Sequence, residues 1–354
     1  MHTRQISDFL LKQNIIPLNK LFLTMKMKAI VTKRYGPPEK LHLQEVDKPT
    51  PRDNEVLIKV HASSLNAADF EIQRGSLITR MQGPLRPKYK IPGSDVAGQI
   101  EAVGRNASEF QPGDEVVGDL FSAGFGAFAE YVCAPEHVLT PKPTAMTFEE
   151  AATLPQSAVI ALQCLRGKRE IQPGHKVLIN GAGGGMGTFA VQIAKTYGAE
   201  VTGVDSAKKL DMIRSIGADH VVDYAQEDYT KNGQLYDFIL DPVANRSFYD
   251  YERALSAEGI FVMVGGSRKA LIQAALLGPR LSKADGKHLG INWWSKPYNK
   301  QDMDFLAELF EAGKVVPVID RRYPLSEVPE ALRYLEEGHA LGKIVIILEH
   351  NNKT

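Results

Sequence analysis

Val177-Leu178-Ile179-Asn180-Gly181-Ala182-Gly183-Gly184-Gly185-Met186-Gly187 is the stretch on which the reading of this chain turns. It opens on a strand-like run, Lys176 to Asn180, and leads into Thr188 to Tyr197, where Phe189, Ile193 and the pair Ala190, Ala194 recur at helical spacing until Gly198 stops the helix. Between the two there are almost no side chains. Backbone N–H groups and a helix N-terminus approach a pyrophosphate closely only where no Cβ intervenes, and the helix packs tightly on its sheet only where the last position is glycine. Ala182-x-Gly184-x-x-Gly187 fills the dinucleotide-binding pattern with alanine in the first slot, and Gly185 and Met186 lie inside it. Glycines also serve plain tight turns; the strand before this one and the helix after it turn the reading toward cofactor binding.

Downstream the same rhythm continues. Glu200 to Val204 reads as a strand, Lys208 to Ile216 as a helix closed by Gly217, and His220 to Asp223, Phe238 to Leu240 and Ile260 to Val264 as three more strands. Five parallel strands with helical crossovers predict an α/β fold, a doubly wound Rossmann sheet. Pro242-Val243 and Val264-Gly265-Gly266 then fall at carboxyl ends of strands, where such sheets bind ligands. Asp205, ending the second strand, is placed to accept from a ribose 2′-hydroxyl, which favours NADH. Ser206, Lys208 and Lys209 follow it with the hydroxyl and ammonium groups that a 2′-phosphate wants, although an exposed helix surface explains the lysines equally well. The expectation is NADPH, with NADH as the alternative.

Upstream, from Met27 to about Pro143, short β-type runs alternate with Gly and Pro: Lys28 to Thr32, Glu55 to Val60, Ala97 to Val103, Glu115 to Val117 and Ala129 to Val132. This is the pattern of a mostly-β, barrel-like domain. After Gly266 the chain reads as irregular up to a helix at Asp302 to Ala312, a strand at Val315 to Ile319, a helix at Val328 to Glu337 and a last strand at Lys343 to Leu348.

Composition narrows the function classes. A chain of 354 residues implies two cores rather than one, and 44% hydrophobic with 24% charged residues is the make-up of an ordered protein. Lys+Arg and Asp+Glu balance at 42 each, so no global field draws the chain to nucleic acid or to an anionic membrane. Two cysteines, Cys133 and Cys164, are too few for a disulfide framework or a cysteine-rich zinc cluster, and a reducing, cytoplasmic setting is expected. No apolar run approaches the roughly 20 residues of a membrane-spanning helix. Met1 to Thr24 lacks the compact apolar centre of a signal peptide, so residues 1–26 read as an N-terminal extension.

Several further motifs occur in order: Leu65-Asn66-Ala67-Ala68-Asp69, Ile91-Pro92-Gly93-Ser94-Asp95-Val96-Ala97-Gly98 with Val103-Gly104, Phe110-Gln111-Pro112-Gly113-Asp114-Glu115-Val116, Ala151-Ala152-Thr153-Leu154-Pro155, the glycine turn, Gly217-Ala218-Asp219 and Val264-Gly265-Gly266. With them the chain from Met27 onward resembles the medium-chain dehydrogenase/reductase superfamily, in its zinc-free quinone oxidoreductase and enone reductase branch. The resemblance implies a GroES-like catalytic domain over 27–149 and 288–354, interrupted by a Rossmann NAD(P)-binding domain over 150–287. Zinc-containing relatives carry Cys where this chain has Asn66 and a His-Glu pair where it has Ser94-Asp95, so no metal site is expected, and a small-molecule quinone or enone replaces an alcohol as the expected substrate.

By the same resemblance Asn66 sits near the nicotinamide and donates to an acceptor oxygen that gains negative charge; a turn residue is its plain alternative. Asp69 is expected to cap a helix and Asp95 to be a structural carboxylate. Tyr224 matches a position flanking the adenosine phosphate, or else packs on its strand. Lys343 lies close to the cofactor, or else is an edge-strand charge. Trp293 and Trp294 fall at the cleft mouth, where one stacks on a flat acceptor, or else pack in the core, the commoner fate of Trp. Ile160 stands where many relatives have a cofactor-contacting Thr, and Phe70, Glu71 and Leu77 stand where others have tyrosines. A homodimer through the edge of the Rossmann sheet is expected. The implied activity is hydride transfer from NAD(P)H to a quinone or an α,β-unsaturated carbonyl. The alternatives are a zinc-independent alcohol or aldehyde dehydrogenase, and a nucleotide-responsive binding protein that has kept only the fold.

Overall fold

The computed structural model describes residues 25–167, 169–282, 286–291 and 298–350. Trp293, Trp294 and the N-terminal extension through residue 24 lie outside the described residues.

The first part of the chain is β-rich, as its short apolar runs require. A two-stranded ribbon, β1 (Lys26–Thr32) and β2 (Leu41–Asp47), precedes β3 (Glu55–Ser64), β4 (Asp95–Val103), β5 (Glu115–Asp119), β6 (Tyr131–Pro135) and β7 (Leu139–Pro141). The middle of the chain supplies β8 (Lys176–Asn180), β9 (Glu200–Asp205), β10 (His220–Asp223), β11 (Tyr236–Asp241), β12 (Leu255–Met263) and β13 (His288–Ile291), and the end supplies β14 (Ile319–Pro324) and β15 (Lys343–Ile347).

Two large sheets result. One runs β14-β15-β3-β4-β5-β7, with β6 added to β3. The other, ordered β10-β9-β8-β11-β12-β13, is parallel throughout. Its central strand β8 is buried from Val177 to Asn180, as expected for a parallel strand covered on both faces. Strand order reverses between β8 and β11. The glycine turn at the end of β8 and the Pro242-Val243 turn at the end of β11 therefore flank one crevice at the topological switch point.

Four sequence expectations are corrected. Among the described residues the parallel sheet has six strands, not five, because β13 pairs with β12, and the sheet thus extends past the 287 boundary to Ile291. The stretch after Gly266 holds a helix, Arg268–Leu281, that Gly278-Pro279 had disguised. Pro279 falls in its last turn, and Gly278 lets the helix lie against β13, where an added Cβ would come within 2.9 Å of the Leu289 carbonyl oxygen. The strand expected at Val315 to Ile319 is β14, shifted to Ile319–Pro324, because Val315 packs into the core as a loop while the true strand exposes Arg321 and Arg322. Finally, β15 lies between β14 and β3, so Lys343 is no edge-strand charge.

Candidate active site

Each glycine of the turn is required for its own reason. Helix Gly185–Thr196 starts with Gly184 as its N-cap. A Cβ on Gly184 would meet nothing nearer than the Gly181 carbonyl oxygen at 3.4 Å, so the surface above it is an open cradle in front of the first N–H groups of the helix. A Cβ on Gly187 would come within 2.1 Å of that same oxygen, and one on Gly185 within 2.8 Å of Lys343 Cδ. Ala182 is buried, and Met186 packs half-buried against the core. The cradle fits a pyrophosphate by the shape of its backbone.

At one end of the cradle lies Asp205, buried at the end of β9. Its Oδ2 accepts from Gly183 N–H at 2.9 Å and its Oδ1 from Ser206 N–H at 2.8 Å. Tyr224 donates its N–H to the Asp205 carbonyl and exposes its ring at the rim. Lys208 is exposed beside Ser206. Lys209 is not available with it: the short turn Ala207–Lys209 directs that side chain inward, where Nζ lies 3.6 Å from Asp205 Oδ1 and donates to the Gly338 carbonyl at 3.0 Å. The structure therefore brings Asp205, Ser206, Lys208 and Tyr224 to one edge and withdraws Lys209 from it.

At the other end the turns after β11 and β12 are fastened together. Asp241, fully buried and not singled out by the sequence reading, accepts from Asn180 Nδ2 (2.9 Å), from the N–H groups of Val243 (2.8 Å) and Ala244 (2.6 Å), and from the Tyr251 hydroxyl (2.8 Å). Burial pushes its pKa up and these donors hold it down. Val264 N–H donates to the Asp241 carbonyl, and a Cβ on Gly266 would come within 2.9 Å of Ala244 Cβ. Val243 and Gly265 are exposed over the crevice.

Facing the crevice from the β-rich domain is a buried polar network. Asn66 begins helix Ala67–Arg74, and its N–H donates to Asp69 Oδ2 at 2.8 Å, so Asp69 does cap this helix. The Asn66 side-chain oxygen accepts from Lys343 Nζ at 2.7 Å and from the Ser157 hydroxyl at 3.2 Å. Its nitrogen donates to Asp95 Oδ2 at 2.8 Å and stands 3.5 Å from Ser94 Oγ, which leaves one N–H weakly engaged. Lys343, 1% exposed, also donates to the Leu65 carbonyl (2.9 Å) and Ser157 Oγ (3.0 Å), and lies 3.5 Å from Asp95 Oδ2. Burial pulls its pKa down, while Asp95 props it up. Asp95 takes a further bond from the Ser64 hydroxyl at 2.6 Å, and its Oδ1 is buried without a hydrogen-bond partner among the described residues.

The cradle and the network touch. Gly342 N–H donates to the Gly183 carbonyl at 2.9 Å, which sets the residue before Lys343 against the glycine turn. Sequence reasoning flagged Lys343, Asn66 and Asp95 singly but missed their convergence and missed Ser157 altogether, since no spacing links residues this far apart in the chain.

Two family models match the chain. Residues 52–144 match the family described as alcohol dehydrogenase GroES-like domain, and residues 216–346 the one described as zinc-binding dehydrogenase. The chain is 36% identical over 331 residues to the mouse (Mus musculus) protein "NAD(P)H oxidoreductase RTN4IP1, mitochondrial", covering 83% of this chain and 81% of that one. It is 33% identical over 316 residues to the Arabidopsis thaliana "Chloroplast envelope quinone oxidoreductase homolog", covering 86% and 93%. Among solved structures, the quinone oxidoreductase from Coxiella burnetii superposes with a TM-score of 0.81 at 29% identity, covering 92% of this chain and all (100%) of that one.

Proposed function

We propose that this chain, which belongs to the medium-chain dehydrogenase/reductase superfamily in its quinone oxidoreductase branch and is an oxidoreductase, works without zinc and uses NADPH to reduce a quinone or the activated double bond of an α,β-unsaturated carbonyl. The observation that carries the zinc-free reading is Lys343. Where a metal would need soft ligands, the chain offers the Asn66 amide and Asp95 oxygens, with an ammonium already 2.7 Å from Asn66 Oδ1. No group of three metal-ligating side chains is assembled among the described residues. These residues do not fit a zinc ion.

They do fit a nicotinamide dinucleotide, which supplies hydride when bound. The cradle from Gly184 to Gly187 holds its pyrophosphate. The exposed turns at Val243 and Val264 to Gly266 give the nicotinamide end a fixed wall. At the adenosine end the buried Asp205–Lys209 pair cancels its own charge, so the exposed Lys208 and the Ser206 hydroxyl favour a 2′-phosphate. In the network, Lys343 pulls on the oxygen of the Asn66 amide and Asp95 fixes its nitrogen, which leaves the remaining N–H only weakly held by Ser94 and makes it a stronger donor to an acceptor oxygen. The reading includes a homodimer built on β13, the edge of the parallel sheet, and a cytoplasmic setting.

Oxidation of NADPH and NADH against a panel of quinones, enones and simple alcohols is the test, run beside elemental analysis and light scattering. Turnover of quinones or enones by metal-free protein, with NADPH preferred, is the expected result. Stoichiometric zinc that a chelator removes together with activity overturns it.

A further inference from the structure

We propose that Asp119 holds the proton delivered to the reduced acceptor, beside an aromatic patch of Phe121, Phe125 and Tyr89 against which a flat conjugated carbonyl compound stacks; the inference rests on the reductase reading above and deepens it. Asp119 ends β5 directly opposite Asp95, the first residue of β4. Residues opposite one another in an antiparallel pair project from the same face, so Asp119 shares the face of Ser64, Asn66 and Lys343. Asp95 is completely buried, whereas Asp119 is partly exposed. The pair thus has one member sealed in the network and one at its mouth.

The surroundings of Asp119 suit a carboxyl that keeps a proton near neutrality. Phe121 N–H donates to its Oδ1 at 2.9 Å, and the Gln156 amide, which also donates to Ser94 Oγ at 3.3 Å, reaches its carboxyl. The charged and titratable groups facing it are Asp95 from β4, Lys343 from β15, Asp69 from helix Ala67–Arg74, and Tyr298, whose hydroxyl donates to the Val117 carbonyl at 2.9 Å. Three carboxylates share one ammonium, so the group retains protons that isolated aspartates would lose. Burial, then the charge of Asp95, push Asp119 up to about 7.

The aromatic patch is a second, independent feature. Gly124, Phe125 and Gly126 are consecutive residues at positive φ (109°, 65° and 114°), and Phe125 pays for a backbone conformation that side-chain-bearing residues avoid. That turn holds the Phe125 ring 5.3 Å from Phe121 and 5.5 Å from Tyr89, all three partly exposed. A Cβ on Gly124 would crowd the Tyr89 ring at 3.2 Å. The three rings pack edge against face, and their partly exposed surfaces offer a flat π-system a face to stack on; Phe121 ties this patch to the Asp119 carboxyl through its own N–H.

The chemistry balances. The acceptor gains hydride, two electrons and one hydrogen, on the side of the nicotinamide. The Asp119 O–H bond breaks, and its proton forms an O–H bond on a quinone oxygen or a C–H bond at the α-carbon of an enone. The Asp119 carboxylate then regains a proton from solvent, to which the residue is partly open. Since the acid form is the active one, turnover is full below pH about 7 and falls above it.

The test uses Asp119→Asn and Asp119→Glu in the full-length protein. Carboxyl-carbon NMR of the cofactor-free protein is expected to show an aspartate titrating near pH 7 that Asp119→Asn removes, while the second such group, Asp69, stays. With cofactor and a quinone, Asp119→Asn is expected to lower kcat by about 100-fold or more and to flatten the alkaline limb of the pH profile, with cofactor Kd within twofold of wild type; Asp119→Glu is expected to restore at least tenfold of the loss. Wild-type rates and pH profile in Asp119→Asn overturn the proposal, as does the absence of the NMR titration. Failure of the wild type to oxidise either cofactor with any quinone or enone overturns instead the reductase reading.

Discussion

At the end of β8 the chain makes a binding surface by leaving side chains out; at the start of β4 it makes one by crowding ionisable side chains together, with Asp69, Asp95 and Lys343 buried and Asp119 partly exposed. The cradle itself carries no charged side chain, and the carboxylate at its edge, on Asp205, is matched by Lys209. Among the described residues the network sets Asp69, Asp95 and Asp119 against Lys343. The contrast assigns the work: the cradle is a rigid mould for phosphate, while the network is a reservoir in which protonation, polarisation and hydrogen-bond direction are adjustable. Gly342, bonded to Gly183, is where the two meet.

The contrast can be broken most forcefully at Lys343. Replacing it by Met leaves Asp95 buried without its cation, and a loss of about 3–5 kcal/mol in denaturant unfolding is expected. Adding Asp95→Asn to the same chain is expected to recover more than half of the loss. Strictly additive effects of the two substitutions would mean that the ion pair does not organise the network.

The cradle separates into a structural glycine and a binding glycine. Gly187→Ala drives a Cβ toward the Gly181 carbonyl and is expected to cost about 2–3 kcal/mol of stability. Gly184→Ala is expected to stay within about 1 kcal/mol of wild type in unfolding yet to weaken cofactor binding at least about tenfold in a fluorescence titration, because its Cβ stands where phosphate must approach. Equal stability losses in the two variants would erase the distinction.

The surplus of carboxylates has a thermodynamic signature. Burial raises Asp69 and Asp119 from an ordinary value of 3.8 to about 7, so between those limits the folded state binds more protons than the unfolded one. Their stabilising contribution is full below pH about 4 and is lost as pH rises through 7. Unfolding midpoints are expected to be lower at pH 8 than at pH 5, by at least about 1 kcal/mol in free energy, with part of the slope gone in Asp119→Asn. A slope of the opposite sign would contradict the environment described for these groups.

The smallest effects belong to the edge of the cradle. Lys208→Ala is expected to reduce the ratio of kcat/KM for NADPH to that for NADH about fivefold, the scale of one partly screened charge. Lys209→Ala is expected to act on unfolding instead, since that lysine is buried against Asp205 and Gly338. A cofactor switch produced by Lys209 and not by Lys208 would reverse the roles assigned to the two lysines.

The two regions were also unequally legible. The cradle is contiguous, and its constraint acts on residue type directly, so eleven consecutive letters disclose strand, turn and helix together. The network draws on positions 66, 69, 94, 95, 119, 157 and 343, which only sheet topology brings together. Asp119 is invisible to motif reading because its significance lies in being paired across strands with Asp95. Lys209 was misjudged for a related reason: a charge beside an apolar turn reads as surface until the tight turn at Ala207–Lys209 shows it facing inward. The helix Arg268–Leu281 was hidden by a proline that its final turn tolerates.

The position of β15 also governs the order in which the molecule is completed. This strand, the last in the chain, inserts between β14 and β3, so the β-rich domain lacks an interior strand until the whole parallel sheet has been synthesised. A nascent chain emerging amino end first carries Asp69, Asp95 and Asp119 long before Lys343 exists to meet them. During that interval the three acids have no ammonium partner in the pocket they will later share. Translation therefore finishes the hydride-binding half before the proton-handling half, and a chain released ahead of Gly342 would own a cofactor cradle with no chemistry to face it.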